Sequence, residues 1–236
     1  MSRKRALFAT REGEDGGHWL SVSDLMAGLM MIFLFIAIIY MRQVQKVIVL
    51  ADDTHTAIYT ALYDEFKDDL SKWSAEIDPE TMTIRFNEPD ILFPQNSAAL
   101  RPEFKVILVD FFPRYVRTLD VFQPDIDEIR VEGHTSSEFR SETDETNAYF
   151  RNMDLSQDRT RNVLEYCLQL ENLDGNSLWL KEKVAAVGLS SARLIRDENE
   201  IEDKERSRRV EFTVKTNFEK RIIEQTLAKR ARSATQ

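Results

Sequence analysis

Apolar residues are spaced in three ways along the 236 residues, and each spacing predicts a different kind of element. The first is a continuous run. Residues 25–40 carry no charge, and the wider stretch "HWLSVSDLMAGLMMIFLFIAIIYM" holds one acid, Asp24. A helix rises about 1.5 Å per residue, so roughly 20 residues cross the hydrocarbon core of a bilayer. Residues 19–41 are therefore predicted to form one membrane-spanning helix, with Trp19 and Tyr40 where interfacial aromatics sit. The run is too long for a cleaved leader, and no small-residue cleavage site follows it in "YMRQVQKVIV".

The second spacing is helical. Val47, Ala51, Ile58, Leu62, Phe66 and Leu70 fall roughly every four residues and predict an amphipathic connector over 42–74, interrupted by the polar "DDTHT" at 52–56. Two uses of that stripe fit: pairing with another helix, or packing on this chain's own domain. The third spacing mixes strands and helices over 75–216. "TMTIRF" at 81–86 alternates, as does "EIRVEG" at 128–133, while "VAAVG" at 184–188 is a short apolar strand. "RRVEFTV" at 208–214 puts Val210, Phe212 and Val214 on one face. Between the strands, Leu100 to Leu119 marks a helix face that Pro113 is expected to kink or end. "DLSQDRTRNVLEYCLQL", 154–170, opens with an acceptable cap. The order β-α-β-α-β-β predicts an α+β sandwich, helices on one side of a sheet.

Charge then narrows the function. The net charge of −9 argues against nucleic acid as a direct partner. The single cysteine, Cys167, excludes an intrachain disulfide. Arg3, Lys4, Arg5 and Arg11 precede the span, against Arg42 and Lys46 after it. The positive-inside rule thus puts the arm 1–18 in the cytoplasm and exports residues from about 45 onward. No nucleophile motif, phosphate loop or metal-ligand spacing is present, so neither an enzyme, a cofactor nor a metal is expected. His18 and His55 are isolated, and His134 reads as a turn residue. The basic tail 217–236 has Phe218, Ile222 and Leu227 at helical spacing and reads as a surface helix or a frayed end.

Asp24 has two readings. It is a helix-start acid beside Ser21 and Ser23, favoured by the helix dipole. Or it faces a partner helix and binds a proton or cation, at a cost of about 2.5–3.5 kcal/mol mid-membrane and less near the ends. Ala27 and Gly28 allow the close approach that membrane helices prefer.

"ILFPQNSAAL", "IRVEGHTSS", "NMDLSQDRTRNVLEYCL" and "SRRVEFTV" resemble, in order, the motifs of OmpA-like peptidoglycan-binding domains. Such a domain behind one helix with an early Asp resembles the MotB-type stator subunits of ion-driven motors. The wording "WLSVSDLMAGLMMIFLF" looks most like the B subunits of Zorya anti-phage defence systems. The resemblance implies an inner-membrane, single-pass protein with a periplasmic C-terminal domain. It implies a homodimer, inside a ring of a multi-span MotA-like subunit. Asp24 would be the ion-binding residue, with proton or sodium left open. A flagellar-type stator, or a passive membrane-to-wall tether without ion flow, is the alternative.

The same resemblance implies a wall ligand carrying an ammonium and a carboxylate on one carbon. Arg159 maps onto the family Arg, Asn152 onto the motif Asn, and Leu155 onto its Leu, with Thr135 and Ser136 beside them. Arg159 is expected near the start of its helix, where free N–H groups also attract an anion. Two departures stand out. Ser136 replaces the family Asp that would meet the ammonium, so an acid between Glu138 and Glu145 is expected to substitute. Ser207 replaces the first Asn of the last motif, ahead of Arg208 and Arg209.

Overall fold

The computed structural model describes residues 15–139, 144–171, 173, 175 and 177–217, with side chains at 15–21, 46–52 and 177 excepted. The tail 218–236 and the loop residues 140–143 lie outside the described residues.

Helix α1 runs Asp15–Phe66. "DDTHT" lies within it and does not interrupt it. None of those five residues is Gly or Pro, and their helix-propensity costs are each only a few tenths of a kcal/mol to about 0.7 kcal/mol. The chain divides into two units, Met1–Leu50 and Ala51–Gln236. In the first, Val22–Gln45 is long and apolar enough to cross a membrane. Its side chains, Asp24 included, are exposed.

The second unit is an α+β domain. After α1 come β1 (Ala75–Asp78), β2 (Thr83–Phe86), α2 (Pro89–Leu92) and α3 (Pro102–Asp120). Then follow β3 (Ile126–Gly133), α4 (Glu145–Leu168), α5 (Ser177–Lys183), β4 (Val184–Gly188), α6 (Lys204–Ser207) and β5 (Val210–Thr216). The sheet order is β1-β2-β5-β3-β4, antiparallel except for β3 beside β4. β1 is one strand more than the sequence predicts, because four residues are too few to display an alternation.

Register sorts the two faces. Ile84, Phe212 and Val131 are directly paired across β2, β5 and β3, and all three are fully buried. Phe111 and Tyr115 of α3 pack edge-to-face on Phe212, with ring centroids 5.0 and 6.0 Å away. Pro113 sits inside α3 without ending it. Its missing N–H costs one rung, while Phe111, Phe112, Tyr115 and Val116 around it are buried and hold the helix in place. Ile58, Leu62 and Phe66 at the end of α1 are fully buried in the same core, together with Phe104 and Phe111. The connector stripe therefore packs, from Ile58 onward, on this chain's own domain.

Candidate functional site

α4 is the element that carries the predicted pocket residues, and its own sequence fixes it to the sheet. Gln157 reads the β4 backbone twice: Nε2 donates to Ala186 O at 3.2 Å, and Oε1 accepts from Gly188 N at 2.8 Å. Ser156 Oγ donates to Met153 O and accepts from Ser190 N at 3.0 Å. A Cβ on Gly133 would sit 2.8 Å from Ser156 O, and one on Gly188 would run into the Gln157 backbone. Only glycine at the ends of β3 and β4 lets α4 approach so closely.

That seating presents Asn152, Leu155 and Arg159, three and four residues apart, on one helix face. All three line an open cleft of about 490 Å³, together with Thr135, Ser136 and Glu138 after β3 and Arg208 before β5. Pro89, Asp90, Phe93 and Arg101 line it as well. Every predicted pocket residue thus lines one cleft. Asn152 is buried, and its Nδ2 donates to Ser136 O at 3.1 Å and to Glu138 O at 3.2 Å. It shapes the 136–138 loop. The Thr135 hydroxyl is buried and without a partner among the described residues.

Arg159 is half-buried. Its Nε donates to Ser97 O at 2.9 Å, and its Cζ lies 4.7 Å from the centre of the Phe93 ring. Among the described residues it has no acidic partner. Burial pushes the guanidinium pKa down to about 10, and the nearby positive charge of Arg208 pushes the same way. A held, desolvated cation without a counter-ion is a place for an anion.

α4 begins at Glu145, capped by Asp144 accepting from Thr146 N at 3.1 Å, not near Asp154. Arg159 is mid-helix, where backbone N–H groups are consumed by the helix itself, so no free helix N-terminus assists it. The sequence misplaces the start because "ETNAYFRNM" has no apolar periodicity. Of the loop acids, Glu138 lines the cleft and pairs with Lys204 Nζ at 2.6 Å. Asp144 is spent on the cap, Glu145 is exposed, and Glu142 lies outside the described residues. Asp90 of α2 also lines the cleft and forms no ion pair among the described residues. Sequence reading missed it, since only the fold brings α2 and α4 to one cleft.

His134 is no turn residue. It is buried, its N–H donates to Arg209 O at 3.0 Å, and its Nε2 lies 3.4 Å from Glu211 Oε2 and 3.8 Å from Glu132 Oε2. The Glu132, His134 and Glu211 donor atoms lie within 4.8 Å of one another, a set that suits a divalent cation by type. Their charges are already answered. Arg85 Nε and Arg209 Nε each reach Glu211 Oε1 at 2.6 Å, and Arg193 Nη1 reaches Glu132 Oε2 at 2.9 Å. The cluster is an ion-pair network on the sheet face opposite the core. Burial pushes the His134 imidazole pKa down. Burial alone would raise the Glu211 carboxyl, but His134 and Arg209 hold it well below the usual glutamate range. His55 is also engaged, its Nε2 lying 2.9 Å from Glu80 O.

Comparison with known proteins bears on all of this. Residues 92–208 match the OmpA family. The domain resembles in fold the cell wall anchor of the type VI secretion system from Pseudomonas aeruginosa, at 22% identity and a TM-score of 0.46, over 66% of this chain and 96% of that one. It also resembles a putative MotB-like protein from Desulfovibrio vulgaris, at 20% identity and 0.47, over 73% and 98%. Across 219 residues the chain is 48% identical to the Zorya protein ZorB of Escherichia coli, covering 90% of this chain and 93% of that one. With that identity along nearly its whole length, and with an OmpA-type domain behind one apolar helix, the chain belongs to the ZorB family.

Proposed function

We propose that this chain is the wall-anchored subunit of an ion-driven Zorya-type anti-phage complex in the bacterial inner membrane. The observation that carries the anchoring half is Arg159: a half-buried guanidinium, oriented by Ser97 O and Phe93, in an open cleft and without an acidic partner among the described residues. A stem-peptide carboxylate of peptidoglycan meets that cation, and the Thr135 hydroxyl adds a second polar contact. The ammonium on the same ligand carbon needs an acid. Glu138 already holds Lys204, so Asp90 is the carboxylate left for it.

The ion-carrying half rests on Asp24, an acid within the apolar span of α1. A carboxyl group near the end of a membrane helix cycles between charged and neutral forms at modest cost, and each change of charge alters how neighbouring helices pack. That cycling needs facing helices. They would come from a multi-span MotA-like subunit around a homodimer of this chain. Ile58, Leu62 and Phe66 are spent on the domain core, so homodimer contacts are expected from the span, where Ala27 and Gly28 leave room. Nothing lies within 4 Å of a Cβ built on Gly28. The N-terminus stays in the cytoplasm and the domain lies in the periplasm.

The test is phage protection by the complete system carrying Asp24→Asn or Arg159→Ala, with membrane insertion checked. Loss of protection in both is expected. Full protection with Asp24→Asn, together with loss for Arg159→Ala, would make the protein a passive tether instead.

A further inference from the structure

The cleft contains more positive charge than one carboxylate answers. Arg101 and Arg208 line it beside Arg159, and each has a buried Nε without a hydrogen-bond partner among the described residues. Both side chains lack an ion pair there as well. Their backbones are fixed: Arg101 N donates to Leu92 O at 3.1 Å, and Arg208 N donates to Glu205 O at 3.2 Å. Folding has thus brought three guanidiniums to one cleft and left two buried N–H groups unmet. Leaving a buried donor unmet is costly, more so when it is charged. Arg159 makes its own contacts to the 94–97 loop, so it does not use the other two.

Resting on the wall-ligand reading above, we infer that Arg101 and Arg208 form a second carboxylate subsite, so that the cleft selects a stem peptide ending in a free diamino diacid. Arg159 takes the carboxylate that shares its carbon with the ammonium. Arg101 and Arg208 take the other carboxylate of the same residue, which is free only where the stem stops there. Guanidinium forks suit this, because each offers paired N–H donors to a planar carboxylate. Extending the stem by one residue turns that carboxylate into a neutral amide and leaves the two arginines unmet.

The full chain in detergent is titrated with two synthetic stem tripeptides ending in the diamino diacid, one with both terminal-residue carboxylates free and one with the C-terminal carboxylate amidated. Wild type is expected to prefer the free diacid by about tenfold or more. Arg101→Gln and Arg208→Gln should each lose about tenfold on the free diacid and much less on the amide. Arg159→Gln should lose binding of both, and the exposed Arg161→Gln of neither. Melting temperatures report folding, and Arg101→Lys, keeping the charge, should fall between wild type and Arg101→Gln. Equal affinity of wild type for the two peptides, or equal losses on both in Arg101→Gln, overturns the second subsite while leaving the first. Binding of neither peptide by wild type overturns both readings. Displacement of the peptides by inorganic phosphate that depends on Arg101, without discrimination between them, assigns the subsite to phosphate and overturns the inference.

Discussion

Glu211 shows how much one buried side chain can hold. Arg85 and Arg209 both close on its Oε1, and His134 faces its Oε2. Glu211→Gln leaves the buried Arg209 without an acidic partner among the described residues, while Arg85 keeps Glu76 and Asp78; removing one partner of a buried pair typically costs about 3–5 kcal/mol. Because the folded-state pKa of Glu211 is depressed, its contribution is present above the ordinary value of 4.5 and is lost as pH falls from there toward the folded value. Denaturant unfolding of wild type and Glu211→Gln should therefore show a gap of that size at pH 7 that narrows below about pH 4.5. A gap unchanged at pH 3 would remove Glu211 as its source. Gly188 makes a second case. Its added Cβ would collide with the Gln157 backbone, so Gly188→Ala should lower stability by about 1–3 kcal/mol, read as a drop in melting temperature. Arg159, Asn152 and Leu155 are legible in the sequence because their spacing and wording are local. The Glu132, His134 and Glu211 cluster is not, since it depends on β3 pairing with β5 in a register that places Glu132 opposite Glu211.

Among the elements, strands β2, β3, β4 and β5 are readable from their alternation or apolar runs, and α3 from its stripe. The failures have physical causes. α4 starts early because its first stretch is held by the Asp144 cap and by Ser190 Oγ donating to Tyr149 O, not by periodicity. α1 passes through "DDTHT" because polar residues without Gly or Pro only weaken a helix. The connector stripe was open between two uses, and burial decides for the domain core from Ile58 onward. Phe66 sits against Phe111 and Trp73, at centroid distances of 5.2 and 5.9 Å, with Arg114 over its ring. Phe66→Ala should cost about 3–5 kcal/mol of domain stability, measured by tryptophan fluorescence during denaturation. Unchanged stability, with loss of a dimer instead, would return the stripe to an intermolecular role.

Taken as one chain, the two units differ in kind: one holds an apolar span with a single acid, Asp24, and the other a domain whose cleft is lined by Arg101, Arg159 and Arg208. Composition made that division legible, because an uncharged run and a 31% charged chain cannot be one kind of structure. The ligand was legible only as a motif with one acid missing, and the fold places Asp90, just ahead of the first motif stretch, in the same cleft. Anchoring to the wall is the central claim, and it is measured most directly by co-sedimentation of the full chain in detergent with purified sacculi. Wild type should sediment with them, and Arg159→Ala should bind about tenfold to a hundredfold more weakly, as expected for one charge-assisted hydrogen bond of roughly 1.5–3 kcal/mol. Absence of wild-type binding, or equal binding by Arg159→Ala, would contradict the account.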